Sequence, residues 1–213
     1  MKPDLSSIKL ISVASILTFS FFFYLMLQLT LRYIPFSSDV AFLQIKQTVV
    51  KTVPLYLTIF YIHVYSSIFV LLAGFTQFSG FVLTNYRSLH RLVGKVYFLD
   101  VLFLSAPSGL FMGFYANGAW QTKLSFIILS ILWFLFTTLS IIAINKGHIA
   151  KHRAFMIRSF SLALSAITLR AWKVVIVYCF HTAPMDTYQI IAWLGWVPNL
   201  MIAEYYFINK PNK

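Results

Sequence analysis

Basic and imidazole side chains stand inside stretches that otherwise look built for lipid: His63 in YIHVY, His90 in LHRLV, His152 and Arg158 in HRAFMIR, Arg170 and Lys173 in LRAWK. Ionisable groups in such segments are costly, so by default they mark a ligand site, an ion path or a buried pair. Two histidines facing each other at one depth could hold b-type haem. A neutral imidazole beside a cation and aromatic walls would suit a quinone, haem propionates or an anionic lipid head. The plainer reading of each stays open: a histidine bonded to a neighbouring hydroxyl or carbonyl, and cations that snorkel to the headgroups.

One stretch carries most of them. Between His148 and Lys173, at about 100° per residue, His152, Ser159, Ala163, Ala166, Arg170 and Lys173 fall on one helix face. Arg158, Ser161, Ser165 and Thr168 fall on the next, and only the arc with Met156, Phe160, Leu164, Ile167 and Ala171 suits lipid. Small and hydroxyl residues allow close helix approach and hydrogen bonds across the contact, so neighbours are expected to enclose this helix.

Several other chemistries lack their signatures. There is no G-x-S-x-G, no H-E-x-x-H and no phosphate-binding glycine loop. Five acids in the whole chain, scattered over different levels, do not make a carboxylate cation cage. Cys179 is the single cysteine, so neither an internal disulfide nor a cysteine metal cluster is available.

The elements that must position these side chains follow from composition. Of 213 residues, 60% are hydrophobic and 10% charged. A soluble domain carries about 25% charged residues, so there are too few here to clothe a wet surface. The chain reads as an all-α polytopic membrane protein, six transmembrane helices in a bundle. A net charge of +12 would suggest nucleic acid in a soluble protein. Here the basic residues sit at helix ends, where they set orientation and meet anionic lipid, so the bilayer is the partner and nucleic acid is not.

Residues 10–31 are long enough to span and show no small-residue cleavage site of a signal peptide. The stretch 32–54 is more polar, and Phe42, Ile45, Val49 and Val53 recur in it at helical spacing, which predicts a short helix on the membrane face. Further spans are predicted at 55–75, 96–114, 124–144, 154–177 and 188–208. Pro107 should bend the third, and Gly109 with Gly113 forms a G-x-x-x-G pair suited to helix packing. Gly195, Pro198 and Asn199 interrupt the sixth. The chain divides into 1–54, the first helix and outer segment; 55–180, a four-helix core; and 181–213, the sixth helix and a basic tail.

Lys2, Lys9, Arg87, Arg91, Lys95, Lys146, Lys151, Arg153, Arg158, Lys210 and Lys213 then gather on one side, against Arg32, Lys46, Lys51 and Lys123 on the other. That asymmetry predicts that both termini are cytoplasmic, in a cell membrane such as the bacterial inner membrane.

Depth decides which side chains can meet. At 1.5 Å per residue His63 lies roughly 12 Å below the outer boundary, on a level with Arg170, Lys173, Trp193 and Trp196. His90 and His152 lie at the inner boundary and could meet there. Haem on His63 would need Met26 or Met112 opposite, and His63, His90 and His152 are metal ligands only if haem is present. Asp100, Arg158 and Glu204 each stand about a turn inside. Pairing Arg158 with either acid removes the cost of burying it alone, and a proton relay is the other use.

His90, Arg91, Gly94 and Tyr97 in HRLVGKVY, with His152, Arg153, Met156, Ile157, Arg158, Ser159, Ala166, Thr168, Leu169 and Arg170 in HRAFMIRSFSLALSAITLR, resemble the predicted multi-pass membrane proteins of domain-of-unknown-function family 2306. His63 followed by Gly74 and Gln77 is similar to that family's first shared helix. The resemblance covers about residues 55–177, and Phe155 stands where a Trp is usual. It implies no assigned reaction; it singles out His63, His90, Arg91, His152, Arg153, Arg158 and Arg170 as positions to test. Histidine-bearing helices in a small bundle are also similar to di-haem b-type cytochromes, although the fourth span here has no histidine.

The leading expectation is an amphiphilic redox cofactor, b-type haem or quinone, bound between helices at His63, His90, His152 and Arg170 for electron transfer or respiratory assembly. A transporter or channel for a small anion or lipid, with Arg158, Arg170 and Lys173 lining its path, is the second. The third is a structural protein without a ligand, in which Asp100, Arg158 and Glu204 form a polar network.

Overall fold

The computed structural model describes residues 5–181 and 183–208; Lys2, Lys210 and Lys213, which enter the orientation argument, lie outside the described residues. Among those described, the secondary structure is entirely helical. The chain runs through α1 (Leu5–Leu31), α2 (Ala41–Gln44), α3 (Gln47–Thr52), α4 (Tyr56–Gln77), α5 (Gly80–Asn85) and α6 (Arg87–Asp100). A π-helical turn, Val101–Ser105, joins α6 to α7 (Ala106–Phe114). Then come α8 (Trp120–Asn145), α9 (Ile149–Ala163), α10 (Ser165–Phe180), α11 (Pro184–Leu194), α12 (Val197–Ile202) and a second π segment, Ala203–Ile208.

Among the described residues three helices are long and apolar enough to cross a membrane: α4, the continuous Arg87–Phe114 and α8. The bent pair α9–α10 makes a fourth if it counts as one span. The third begins at Arg87 rather than at residue 96. His90, Val93, Gly94, Tyr97 and Asp100 turn inward at helical spacing, so the basic stretch between the predicted second and third spans is the amphipathic start of that helix. Residues 188–208 form not one helix but α11, α12 and the π segment, because Pro198 has no N–H to give to a continuous helix. The first predicted span lies within α1, whose Ile16–Leu31 portion is a shorter apolar helix.

The predicted fifth span bends by 41° between α9 and α10 although it holds no proline. Hydroxyls compete for its backbone: Ser161 Oγ donates to the Arg158 carbonyl at 2.7 Å and Thr168 Oγ1 to that of Leu164 at 3.1 Å. Side chains that bond back in this way bend helices. The Ser161 carbonyl is taken up by Asn199 Nδ2 at 3.2 Å, so the kink is held by a residue from α12.

Helix α8 packs against α7 and α9, and α4 against α6, around a core that includes Val70, Tyr97, Val101, Trp133, Met156 and Leu162. At its centre three sealed hydroxyls tie three helices. Ser159 Oγ stands 2.8 Å from both Tyr97 Oη and Thr137 Oγ1, which itself donates to the Trp133 carbonyl. Met26, Ile68, Leu71 and Ile167 join α1, α4 and α10. Gly147, at φ 73°, turns α8 into α9, with the His148 N–H closing back on the Ala143 carbonyl at 2.9 Å.

In the segment before α4, Phe42, Val49 and Val53 of the predicted helical set pack against one cluster, and Ile45 departs from it. Leu43 is fully buried against Tyr56, Phe60 and Tyr61, whereas Ile45 is 63% exposed. Lys46 is only 3% exposed, and its Nζ donates to the Tyr115 carbonyl at the end of α7. One end of the bundle is therefore the Lys46 side; the opposite end, with Gln77, His90 and His152, is the Gln77 side.

Two outcomes follow. A Cβ on Gly74 would lie 2.2 Å from the Phe160 ring. Gly74→Ala should therefore cost about 1–3 kcal/mol through overpacking, read as a lower melting temperature in detergent, and adding Phe160→Leu should recover most of it. Burial, with Lys123 adding repulsion, holds the Lys46 ammonium down at about 8 against an ordinary 10.5. The unfolded chain binds that proton more tightly, so the cost is complete below about pH 8 and stability rises as pH climbs towards 10.5. Thermal melts of Lys46→Met across that window should lack this rise; an unchanged slope would refute the assignment.

Candidate functional site

The site begins with an irregularity in a helix. Pro107 sits in the first turn of α7 and cannot donate a backbone hydrogen bond, so the preceding turn widens, and the Ala106 N–H reaches five residues back to Val101. Residues five apart then share a side. Ser105 Oγ donates to Asp100 Oδ1 at 2.5 Å.

Helix α4 meets this turn with His63, Ser66 and Ser67. Ser66 Oγ lies 2.9 Å and Ser67 Oγ 3.5 Å from Ser105 Oγ. His63 Nδ1 lies 3.0 Å from the Ser105 carbonyl and 3.1 Å from Ser108 Oγ. A carbonyl can only accept, and Ser108 gives its own hydrogen to the Leu104 and Ser105 carbonyls. The network therefore assigns the imidazole proton to Nδ1. Nε2 keeps its lone pair, has no partner among the described residues and is not sealed from access.

Gly109 makes room for that ring: a Cβ there would come within 3.1 Å of His63 Cε1 and 3.3 Å of Ser130 Oγ. Gly113 does what a G-x-x-x-G residue is chosen for, since its Cβ would touch Phe126 and the Ile127 backbone of α8 at 3.3–3.4 Å.

Arg170 of α10 stands close enough to interact electrostatically with His63 and with Tyr33, which follows α1. Burial holds the Tyr33 phenol above its ordinary value and Arg170 pulls it back. The guanidinium donates to the Ala166 carbonyl of its own helix, and among the described residues it pairs with no carboxylate. Tyr65 Oη ties α4 to the end of α1 through the Tyr33 carbonyl at 2.7 Å. Among the described residues, α4 thus offers one bare imidazole nitrogen, and α10 a guanidinium within electrostatic range of it that pairs with no carboxylate. Trp196 is spent elsewhere, since its Nε1 donates to Ser125 Oγ of α8 at 2.9 Å and its ring belongs to the main core. Lys173 is exposed.

On the Gln77 side His90 and His152 also interact electrostatically. His152 Nδ1 is fixed by the Ser140 carbonyl at 3.1 Å and Ser140 Oγ at 2.8 Å, with Phe98 edge-on to its ring. His90 Nδ1 is sealed without a partner. Gln77 clips the start of α6 by donating to the His90 carbonyl at 3.1 Å, and the bare Gly94 leaves room for its amide oxygen.

Of the two acids, Glu204 pairs with Arg158. The guanidinium grips both carboxylate oxygens and stands 5.8 and 5.4 Å from the rings of Phe136 and Phe155, a cation–π arrangement. Asp100 belongs instead with the His63 serines. Sequence reasoning treated Asn199 only as a helix breaker, yet its Nδ2 donates to the Ser161 and Gly195 carbonyls and to Thr168 Oγ1 at 3.0–3.2 Å. An amide in an apolar span, which must find partners inside the protein, was the available signal.

With the geometry in place, comparison with known proteins is specific. A family described as a predicted membrane protein, DUF2306, matches residues 60–207, which takes in α11 and α12 as well as the core. No curated protein and no solved structure matches the chain.

The Arg158–Glu204 pair makes a stability prediction. Removing one partner of a buried pair costs several kcal/mol, whereas replacing both by apolar residues is often neutral. With about a third of the Glu204 side chain accessible, Arg158→Met should cost about 1–3 kcal/mol. The double variant Arg158→Met with Glu204→Leu should melt closer to the parent; if it melts lower than the single, the pair's coupling is misjudged.

Proposed function

The chain belongs to the DUF2306 family of predicted membrane proteins, and on that premise we propose that a cleft beside His63 and Arg170 holds the polar head of an amphiphilic redox cofactor, a quinone, for electron transfer or respiratory assembly. One observation carries this reading: His63 is fixed through Nδ1 while Nε2 is left bare, with an unpaired guanidinium beside it. A quinone carbonyl accepts from guanidinium, and the O–H of a quinol donates to a neutral imidazole, so the pair suits both redox forms. A tail leaving between α1 and α10 would stay in lipid.

The same Nδ1 bond to a carbonyl is how a metal-bound histidine is oriented, which supports b-type haem as the second reading. Met26, in the cluster joining α1, α4 and α10, is then the candidate opposite ligand, and His90 with His152 is the pair to test on the Gln77 side. The anion-path reading ranks lower because Glu204 already neutralises Arg158.

The proposal includes topology. Six crossings, with α1 the first and α11–α12 the sixth, place the Gln77 side and both termini in the cytoplasm. Arg87, Arg91, Lys95, Lys146, Lys151 and Arg153 flank the spans there, against Arg32, Lys46, Lys51 and Lys123 on the Lys46 side. A bacterial inner membrane suits such a carrier.

Solvent extraction of the purified protein, alongside oxidised and dithionite-reduced visible spectra, tests the reading. Quinone should co-purify in near-stoichiometric amount. It should fall about tenfold in Arg170→Leu, as loss of one charge-assisted hydrogen bond would give, and His63→Ala should lower retention of the quinol in reduced protein. Haem bands that vanish in His63→Ala would move the assignment to haem, and a folded protein with neither species overturns it.

A further inference from the structure

Asp100 is the acid that the Arg158–Glu204 pair leaves over. It lies 9% exposed within the 28-residue Arg87–Phe114 helix, and among the described residues no basic side chain bridges to it. An ionised carboxylate at such depth with no cation is costly. What Asp100 has is hydroxyls: Ser105 Oγ at 2.5 Å, and beyond it Ser66 Oγ at 2.9 Å and Ser67 Oγ at 3.5 Å from Ser105. Each hydroxyl both donates and accepts. When Asp100 carries the proton, it can give it to Ser105 while Ser105 gives its own to Ser66 or Ser67 and that serine gives its own to an acceptor beyond it; when Asp100 is bare, every link reverses. One proton moves from end to end, and no other bond changes.

The chain has an outlet. Ser67 stands one turn from His63 on the same face of α4, and it is half-buried where Ser66 is sealed. The ionisable neighbours are few. Tyr97 stands one turn earlier on the same helix, and His63 on α4 bonds the Ser105 carbonyl but not its hydroxyl. Helix α8 carries Lys123 alone, near its Lys46-side end. The π turn is the feature that brings Asp100 and Ser105 together, and such turns recur at functional sites.

We propose that Asp100 is a proton-binding site that exchanges its proton with the His63–Arg170 cleft through Ser105 and the α4 serines, giving a group bound there a route for protons that needs no water. The inference rests on the quinone reading only for the identity of that group; the exchange belongs to the protein without ligand.

Infrared spectra of purified, ligand-stripped protein read it directly. A carboxylic-acid carbonyl band should be present at neutral pH, absent in Asp100→Asn and shifted in Asp100→Glu, and unaffected in Asp186→Asn. After transfer to heavy water, its deuterium shift should slow severalfold in Ser105→Ala. Absence of an Asp100 band, or exchange in Ser105→Ala as fast as in the parent, overturns the inference. If Asp100→Asn does not fold, the shift in Asp100→Glu and the Ser105→Ala kinetics decide. An intact, serine-dependent band in a protein that retains no quinone supports the inference and overturns only the quinone reading.

Discussion

In an apolar bundle every polar group must find its partner within the protein, because lipid offers none. That constraint organises this chain more than any hydrophobic contact does. The residues that looked like ligands in the sequence are first of all solutions to it. Ser159 closes on Tyr97 and Thr137, His152 on Ser140, Gln77 on the His90 carbonyl, Arg158 on Glu204, and Asn199 on Thr168 and two carbonyls. Each link joins different helices or the two sides of a break, so together they fix which helices are neighbours, a choice that apolar side chains facing apolar tails leave weakly determined.

Against that background the groups whose needs are not met stand out. His63 uses one ring nitrogen and not the other, Arg170 has only its own helix's carbonyl, and Asp100 has hydroxyls but no cation. His63 and Asp100 meet at the π turn, and Arg170 lies within electrostatic range of His63. Among the described residues, His90 Nδ1 on α6 and Thr122 Oγ1 and Trp133 Nε1 on α8 are also buried without a partner.

Much of the architecture was legible from hydrophobic run length: α4, α8 and the Arg87–Phe114 helix appear where apolar stretches of spanning length occur. The misreadings have physical causes. The basic stretch around His90 falls outside the predicted third span because charge masked an amphipathic period. In the segment before α4, Phe42, Val49 and Val53 do pack together, but Lys46 and not Ile45 is buried, and a cation satisfied by a helix-end carbonyl leaves no trace in an apolar pattern. At the site, residue types were legible but partnerships were not. Asp100 and Glu204 stood equally near Arg158 by rise per residue, and only the helix arrangement, with its π turn, separated them. The π turn had a cue in Pro107, which predicted a bend but not its side.

Two breaks in helical regularity bear on His63 and Arg170. His63 is seated by the Ser105 carbonyl on the π turn, while Arg170 rides two residues beyond Thr168, where Asn199 pins α10 to α12. The spacing between imidazole and guanidinium is therefore not the property of any one helix. It is set by two joints, one inside the Arg87–Phe114 helix and one where α9, α10 and α12 meet, so a side chain on α12 that touches neither group still helps to hold the distance between them.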